Sequence, residues 1–169
     1  SRQIRNVGTI GGNLGNGSPI ADIPPILFAW DATLELVDSD GKRRSVPVCK
    51  FYNGYKETLL QDREYIANIR VPVQSLNDFH RFYKVSKRLE DDISSVMGAF
   101  RFKVVGDEIS LARVAFGGMA ATPVRAPAIE KNLIGQRITD ELIKKVESQI
   151  LVELEPISDV RSSSSYRLE

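Results

Sequence analysis

Hydrophobic and polar positions alternate at several places along the chain, and these stretches set the first structural expectations. Thr33-Leu34-Glu35-Leu36-Val37 reads as a half-buried strand, Asp38-Ser39-Asp40-Gly41 supplies turn residues, and residues 42–48 return, so a β-hairpin is predicted. Lys42-Arg43-Arg44 is read as the solvated start of that return strand. Residues 51–59 keep no clean period and are expected to be short helical or irregular structure. Residues 64–71 form a strand closed by Pro72. After polar residues 73–78, Phe79, Arg81, Tyr83 and Val85 alternate with His80, Phe82 and Lys84, as a strand would. Residues 96–105 and 108–116 flank Gly106-Asp107 and predict a second hairpin.

Helical signals fall between these strands. Asp22 stands as an N-cap before Pro24 and Pro25, which a first helical turn tolerates, so residues 21–30 are read as a short helix. Residues 126–133 form another, ended by Gly135. Thr139 caps a third helix, whose Leu142, Ile143, Val146, Ile150 and Leu151 make one stripe expected to face the core. Residues 162–165, all serine, are expected to be disordered. The fold class is α+β, with antiparallel hairpins and helices segregated from them. Residues 73–78 read as a linker, which divides the chain into domains at 1–76 and 77–169.

Composition removes several classes of function. The 169 residues are 42% hydrophobic and 27% charged with a net charge of +1, which leaves no global attraction to nucleic acid or an anionic membrane. Cys49 is the only cysteine and His80 the only histidine, so thiolate clusters and histidine-rich metal sites are excluded within this chain. The single cysteine fits a reducing, cytoplasmic setting. The apolar run 23–30 contains two prolines and is too short to span a bilayer. Ser1 and Leu168-Glu169 are read as artificial boundaries of a longer native protein.

The candidate chemistry begins with Val7-Gly8-Thr9-Ile10-Gly11-Gly12-Asn13-Leu14. Residues 7–17 are dense in glycine and asparagine and read as a loop without regular structure. Its backbone N–H groups, with Thr9 and Asn13 as side-chain donors, would suit a diphosphate. The spacing matches neither the dinucleotide fingerprint nor the phosphate loop of nucleotide hydrolases, so a ligand-free glycine loop is an equal reading. Asp22 likewise reads either as a helix cap or as an acceptor for ligand hydroxyl or N–H groups.

Together, residues 7–14 and Asn16-Gly17-Ser18-Pro19-Ile20-Ala21-Asp22 with the Pro pair resemble the second flavin-contact region of the xanthine dehydrogenases. Related domains occur in aldehyde oxidases, carbon monoxide dehydrogenases and hydroxybenzoyl-CoA reductases. The resemblance continues through Phe51-Tyr52-Asn53-Gly54-Tyr55-Lys56-Glu57-Thr58, Phe82-Tyr83-Lys84-Val85-Ser86-Lys87-Arg88, Asp91-Asp92-Ile93 and Phe116-Gly117-Gly118-Met119-Ala120. Within the family it looks closest to the xanthine dehydrogenase branch.

The resemblance implies the second half of a two-part FAD-binding domain, followed by a small antiparallel-sheet-plus-helices domain. Thr9, Gly11, Gly12 and Asn13 would contact the FAD diphosphate, and Asp22 the ribityl or adenosine part. Ile66 would pack on the flavin side, Lys84 would hydrogen-bond a flavin carbonyl, and Arg88 and Asp91 would border the flavin's open face. Electrons would arrive from [2Fe–2S] clusters and a molybdopterin centre on other domains or subunits and leave to NAD, within an oligomer. The alternative is a docking segment of such a complex that holds no flavin. The family's other glycine-rich diphosphate loop is not in this sequence, so the chain alone is expected to be colourless and prone to self-association.

Overall fold

A computed structural model describes residues 2–89 and 92–169. The amino-terminal part holds three short helices, α1 (Arg2–Val7), α2 (Ile10–Gly15) and α3 (Ile23–Ala29). Strands β1 (Thr33–Val37) and β2 (Arg43–Pro47) form the expected hairpin, and β5 (Tyr65–Arg70) pairs antiparallel with the other edge of β1. The Asp38 carboxylate closes the turn by accepting from the backbone N–H groups of Asp40 and Lys42. A small separate hairpin joins β3 (Tyr52–Gly54) and β4 (Glu57–Thr58), in the stretch expected to be helical or irregular. Phe51, fully buried beside it, anchors the hairpin to the first core and stacks edge-on with Tyr52.

The carboxy-terminal part is a four-stranded antiparallel meander of β6 (Asp78–Val85), β7 (Val96–Val105), β8 (Glu108–Gly117) and β9 (Val124–Arg125). Helices α4 (Pro127–Leu133) and α5 (Asp140–Glu153) pack on one face, and α6 (Ser164–Leu168) closes the described chain. The opposite face receives α3, which touches β7, β8 and β9. Accordingly Ala115 of β8 belongs to the first core, with Leu14, Phe28, Leu34 and Leu36. A second core gathers Ile109, Val114, Phe116, Ile129 and Leu133 on the α4–α5 side.

Several expectations are corrected. Residues 7–17 are largely helical, because the Thr9 side chain accepts from the Gly12 N–H and Leu14 is fully buried, which together hold a helical turn among poor helix formers. Arg44 is not simply solvated: its guanidinium grips Glu64 through Nε at 2.7 Å and Nη2 at 2.6 Å. On α5 the expected cap is present, with the Thr139 side chain accepting from the Leu142 N–H, but the stripe is not uniformly internal. Leu142 is buried and Val146 and Ile150 pack on the core, whereas Ile143 and Leu151 are about half exposed. The serine run is ordered: the Ser163 side chain caps α6, and buried Arg167 donates to the Ser95 and Ile157 carbonyls and to Asp159.

Candidate functional site

The segment 18–25 is pressed against the end of β8. Gly117 permits the close approach, since a Cβ there would stand 3.1 Å from the Ala21 carbonyl oxygen. Gly118 turns with φ +86° and donates its N–H to the Pro19 carbonyl at 2.8 Å. This docking places Asp22 against the second sheet. Asp22 occupies the N-cap position of α3 yet makes no capping bond; its carboxylate turns instead to the other part of the molecule. Lys84 Nζ of β6 donates to Oδ2 at 2.8 Å, and the fully buried Ser94 hydroxyl donates to Oδ1.

The Asp22–Lys84 pair is partly open to solvent, with side chains 36% and 40% exposed, so it contributes at most about 1 kcal/mol to stability. Its two groups remain accessible to a ligand. Ile23, the residue after Asp22, also lines a groove of about 530 Å³ whose wall includes Ile4, Arg5, Val7, Thr9, Ile10 and Asn13. Asn13 Oδ1 is buried without a hydrogen-bond partner among the described residues. A buried acceptor left in that state costs about 1–3 kcal/mol. The wall is mixed: Arg5, Thr9 and Asn13 bring polar groups to a surface otherwise lined by Ile4, Val7, Ile10 and Ile23.

The remaining expected site residues divide. Gly11 lies on the same helix as Gly12 and Asn13, with open space where a side chain would stand. Ile66 sits half-buried on β5 and packs against the first core, outside the groove wall. Arg88 meets Asp92: its N–H donates to Oδ2 at 3.0 Å, and its guanidinium lies 3.5 Å from Oδ1. Burial would push the Asp92 carboxyl up, but N–H bonds from Ile93 and Arg88 and the Arg88 charge outweigh it and hold the group below its ordinary range. Asp91 lies outside the described residues. Two contributors were missed from sequence. Ser94 gives no signal in a serine pair, and Tyr52 donates its hydroxyl to the Leu14 carbonyl at 3.3 Å, tying the β3–β4 hairpin to α2.

Comparison with known proteins matches this layout. Residues 1–74 match the FAD binding domain in molybdopterin dehydrogenase, and residues 81–169 match the CO dehydrogenase flavoprotein C-terminal domain. The chain belongs to the FAD-binding flavoproteins of the molybdenum hydroxylase family. Among relatives in this family, the glyceraldehyde dehydrogenase medium chain of Sulfolobus acidocaldarius is 38% identical over 99% of the chain and 58% of that protein. Xanthine dehydrogenase of Emericella nidulans is 38% identical over 82% of the chain and 10% of that protein. The carbon monoxide dehydrogenase structure from Hydrogenophaga pseudoflava superposes with a TM-score of 0.93 at 31% identity, covering 99% of this chain and 58% of that one. The chain thus spans little more than half the length of its medium-chain relative and a tenth of the xanthine dehydrogenase.

The comparisons support an α+β flavoprotein that binds FAD. Among the described residues, no group of histidine, cysteine, aspartate and glutamate is placed to hold a metal ion. No helix there is long and apolar enough to cross a membrane.

Proposed function

We propose that this chain carries the flavin step of a molybdenum hydroxylase, with FAD held between the α1–α2 groove and the Asp22–Lys84 pair. The observation that supports this most is the orientation of Asp22, whose carboxylate turns from its helix to meet Lys84 on β6 and Ser94 in the loop before β7. FAD, when bound, supplies the chemistry of accepting an electron pair and passing it on. This chain's own residues bind, orient and shield it. Thr9, Gly11, Gly12 and Asn13 would line the diphosphate; because the Gly12 and Asn13 backbone N–H groups are spent on Thr9 within α2, the donors left are the Thr9 hydroxyl, the Gly11 N–H and the Asn13 side-chain amide. Asp22 would accept from cofactor hydroxyl or N–H groups. Lys84 gives one N–H to Asp22 and keeps others for a flavin carbonyl, where its charge favours the reduced cofactor. Ile66 would back the flavin from β5, and Arg88 and Asp91 would edge its open face.

In this reading electrons come from [2Fe–2S] clusters and a molybdopterin centre carried on other domains or subunits, and NAD⁺ takes them from FAD. Purine hydroxylation of the xanthine dehydrogenase type is the proposed overall reaction, in an oligomeric, cytoplasmic enzyme. A second reading has an observation in its favour: the medium-chain relative matches 99% of this chain against 82% for the xanthine dehydrogenase. It makes the chain part of a separate flavoprotein subunit serving an aldehyde-oxidising enzyme. Rapid mixing of the complete, pre-reduced flavoprotein with NAD⁺ or with oxygen separates the acceptors. Stoichiometric NADH is expected; oxidation by oxygen with no NADH would overturn the assignment of NAD⁺.

A further inference from the structure

Outside the flavin site, the densest set of charged contacts lies at the far end of α3. Asp31 follows this seven-residue helix and adopts φ 52°, a left-handed conformation that aspartate tolerates better than most residues. Turn geometry alone would be served as well by glycine or asparagine, so the carboxylate has a separate use. Its Oδ1 accepts from Arg113 Nε at 2.8 Å and Arg125 Nη1 at 3.2 Å, and Oδ2 accepts from Arg101 Nη1 at 3.4 Å. The three arginines sit on β7, β8 and β9, and Arg101 and Arg113 are direct cross-strand partners. Like charges facing across a strand pair repel, and Asp31 is the anion that reconciles them. Asp78 and Glu130 take further N–H groups of Arg101 and Arg125, which leaves the network balanced at three arginines and three carboxylates.

Neighbouring Trp30 adds a second contact from the same helix end. Its indole Nε1 donates to His80 Nδ1 at 3.2 Å, and its ring packs edge-on against Phe82 at 5.6 Å. His80, Phe82 and Lys84 are alternate residues of β6 and share one face. Asp22 to Trp30 spans roughly 12 Å at about 1.5 Å per residue. His80 to Lys84 spans roughly 13 Å at about 3.3 Å per residue. The residues flanking the helix thus reach β6 at matched spacing, Trp30 on His80 and Phe82, and Asp22 on Lys84.

Resting on the flavin reading above, we propose that Asp31 is a positioning residue: by binding Arg101, Arg113 and Arg125 it fixes α3 on the second sheet and so holds Asp22 against Lys84 in the flavin site. The test uses the complete, FAD-loaded flavoprotein with Asp31→Asn, Lys84→Met and the double variant, measuring the flavin reduction potential at saturating FAD. Backbone exchange of the Gly118 N–H, which bonds Pro19 beside Asp22, is measured in parallel without FAD. Asp31→Asn is expected to lower the potential in the same direction as Lys84→Met, with no further shift in the double variant, and to speed Gly118 exchange about tenfold or more. An unchanged potential in Asp31→Asn beside a lowered one in Lys84→Met overturns the positioning role and leaves the flavin reading standing. A raised potential in Asp31→Asn also overturns it, since that is what loss of an anion acting through its own charge would do, and so do shifts that simply add, because the two residues would then act independently. If Lys84→Met leaves the potential alone, the flavin reading is what fails, and the exchange rate decides the clasp: accelerated supports it, unchanged overturns it. Should Asp31→Asn not fold, Arg113→Gln removes one arm of the clasp and is read by the same outcomes.

Discussion

Two side chains illustrate how much the surroundings of a residue decide what it does. Glu64 is an ordinary carboxylate in sequence, but the bidentate hydrogen bonds from Arg44 and the Gln61 N–H outweigh its burial and hold its pKa at about 2, against an ordinary 4.5. A carboxyl more acidic when folded contributes stability above the unfolded value and loses it as pH falls through the folded one. The stability gap between the parent and Glu64→Gln should therefore narrow as pH falls from about 4.5 towards 2. Urea titrations across that range check it, and a gap independent of pH counts against the Arg44–Glu64 pair. Gly118 is the second case. A Cβ there would sit well inside contact distance of the Ser95 carbonyl oxygen, on a backbone of φ +86°. Gly118→Ala should cost about 1–3 kcal/mol, seen as a lowered urea midpoint; an unshifted midpoint would mean that Gly118 does not turn tightly against Ser95 as described.

At the scale of elements, the hairpins were readable because alternation and turn residues agree: Asp38-Ser39-Asp40-Gly41 and Gly106-Asp107 each join two alternating runs. The helix α2 was not readable, since Gly11, Gly12 and Gly15 argue against helix and the Thr9 cap and the burial of Leu14 override them. The serine tail misled in the same way, because its order depends on Arg167 reaching carbonyls far back in the chain. For α5 the period was right and the width of the buried stripe was not. Leu142→Ala should cost about 2–5 kcal/mol by cavity formation, whereas Leu151→Ala should stay within about 0.5 kcal/mol. Equal losses in thermal or urea unfolding would show that α5 faces the core differently.

For the whole molecule, the candidate flavin residues were legible through local motifs, but their assembly was not. Asp22 and Lys84 are separated by the entire first sheet in sequence, and nothing local marks Ser94 or Asp31 as their supports. The register of β7 with β8, and of β8 with β9, is what brings Arg101, Arg113 and Arg125 together under one carboxylate. The central claim is that residues from both parts of the chain form one FAD site. It is tested most directly by equilibrium FAD binding to the complete flavoprotein carrying Asp22→Ala, with the turn variant Asp40→Ala as control. Charge-assisted hydrogen bonds are worth about 1.5–3 kcal/mol each, and every 1.4 kcal/mol is about tenfold in affinity. Asp22→Ala is therefore predicted to weaken FAD binding by about tenfold to a hundredfold while Asp40→Ala binds as the parent does; equal affinity in the two variants would contradict the account.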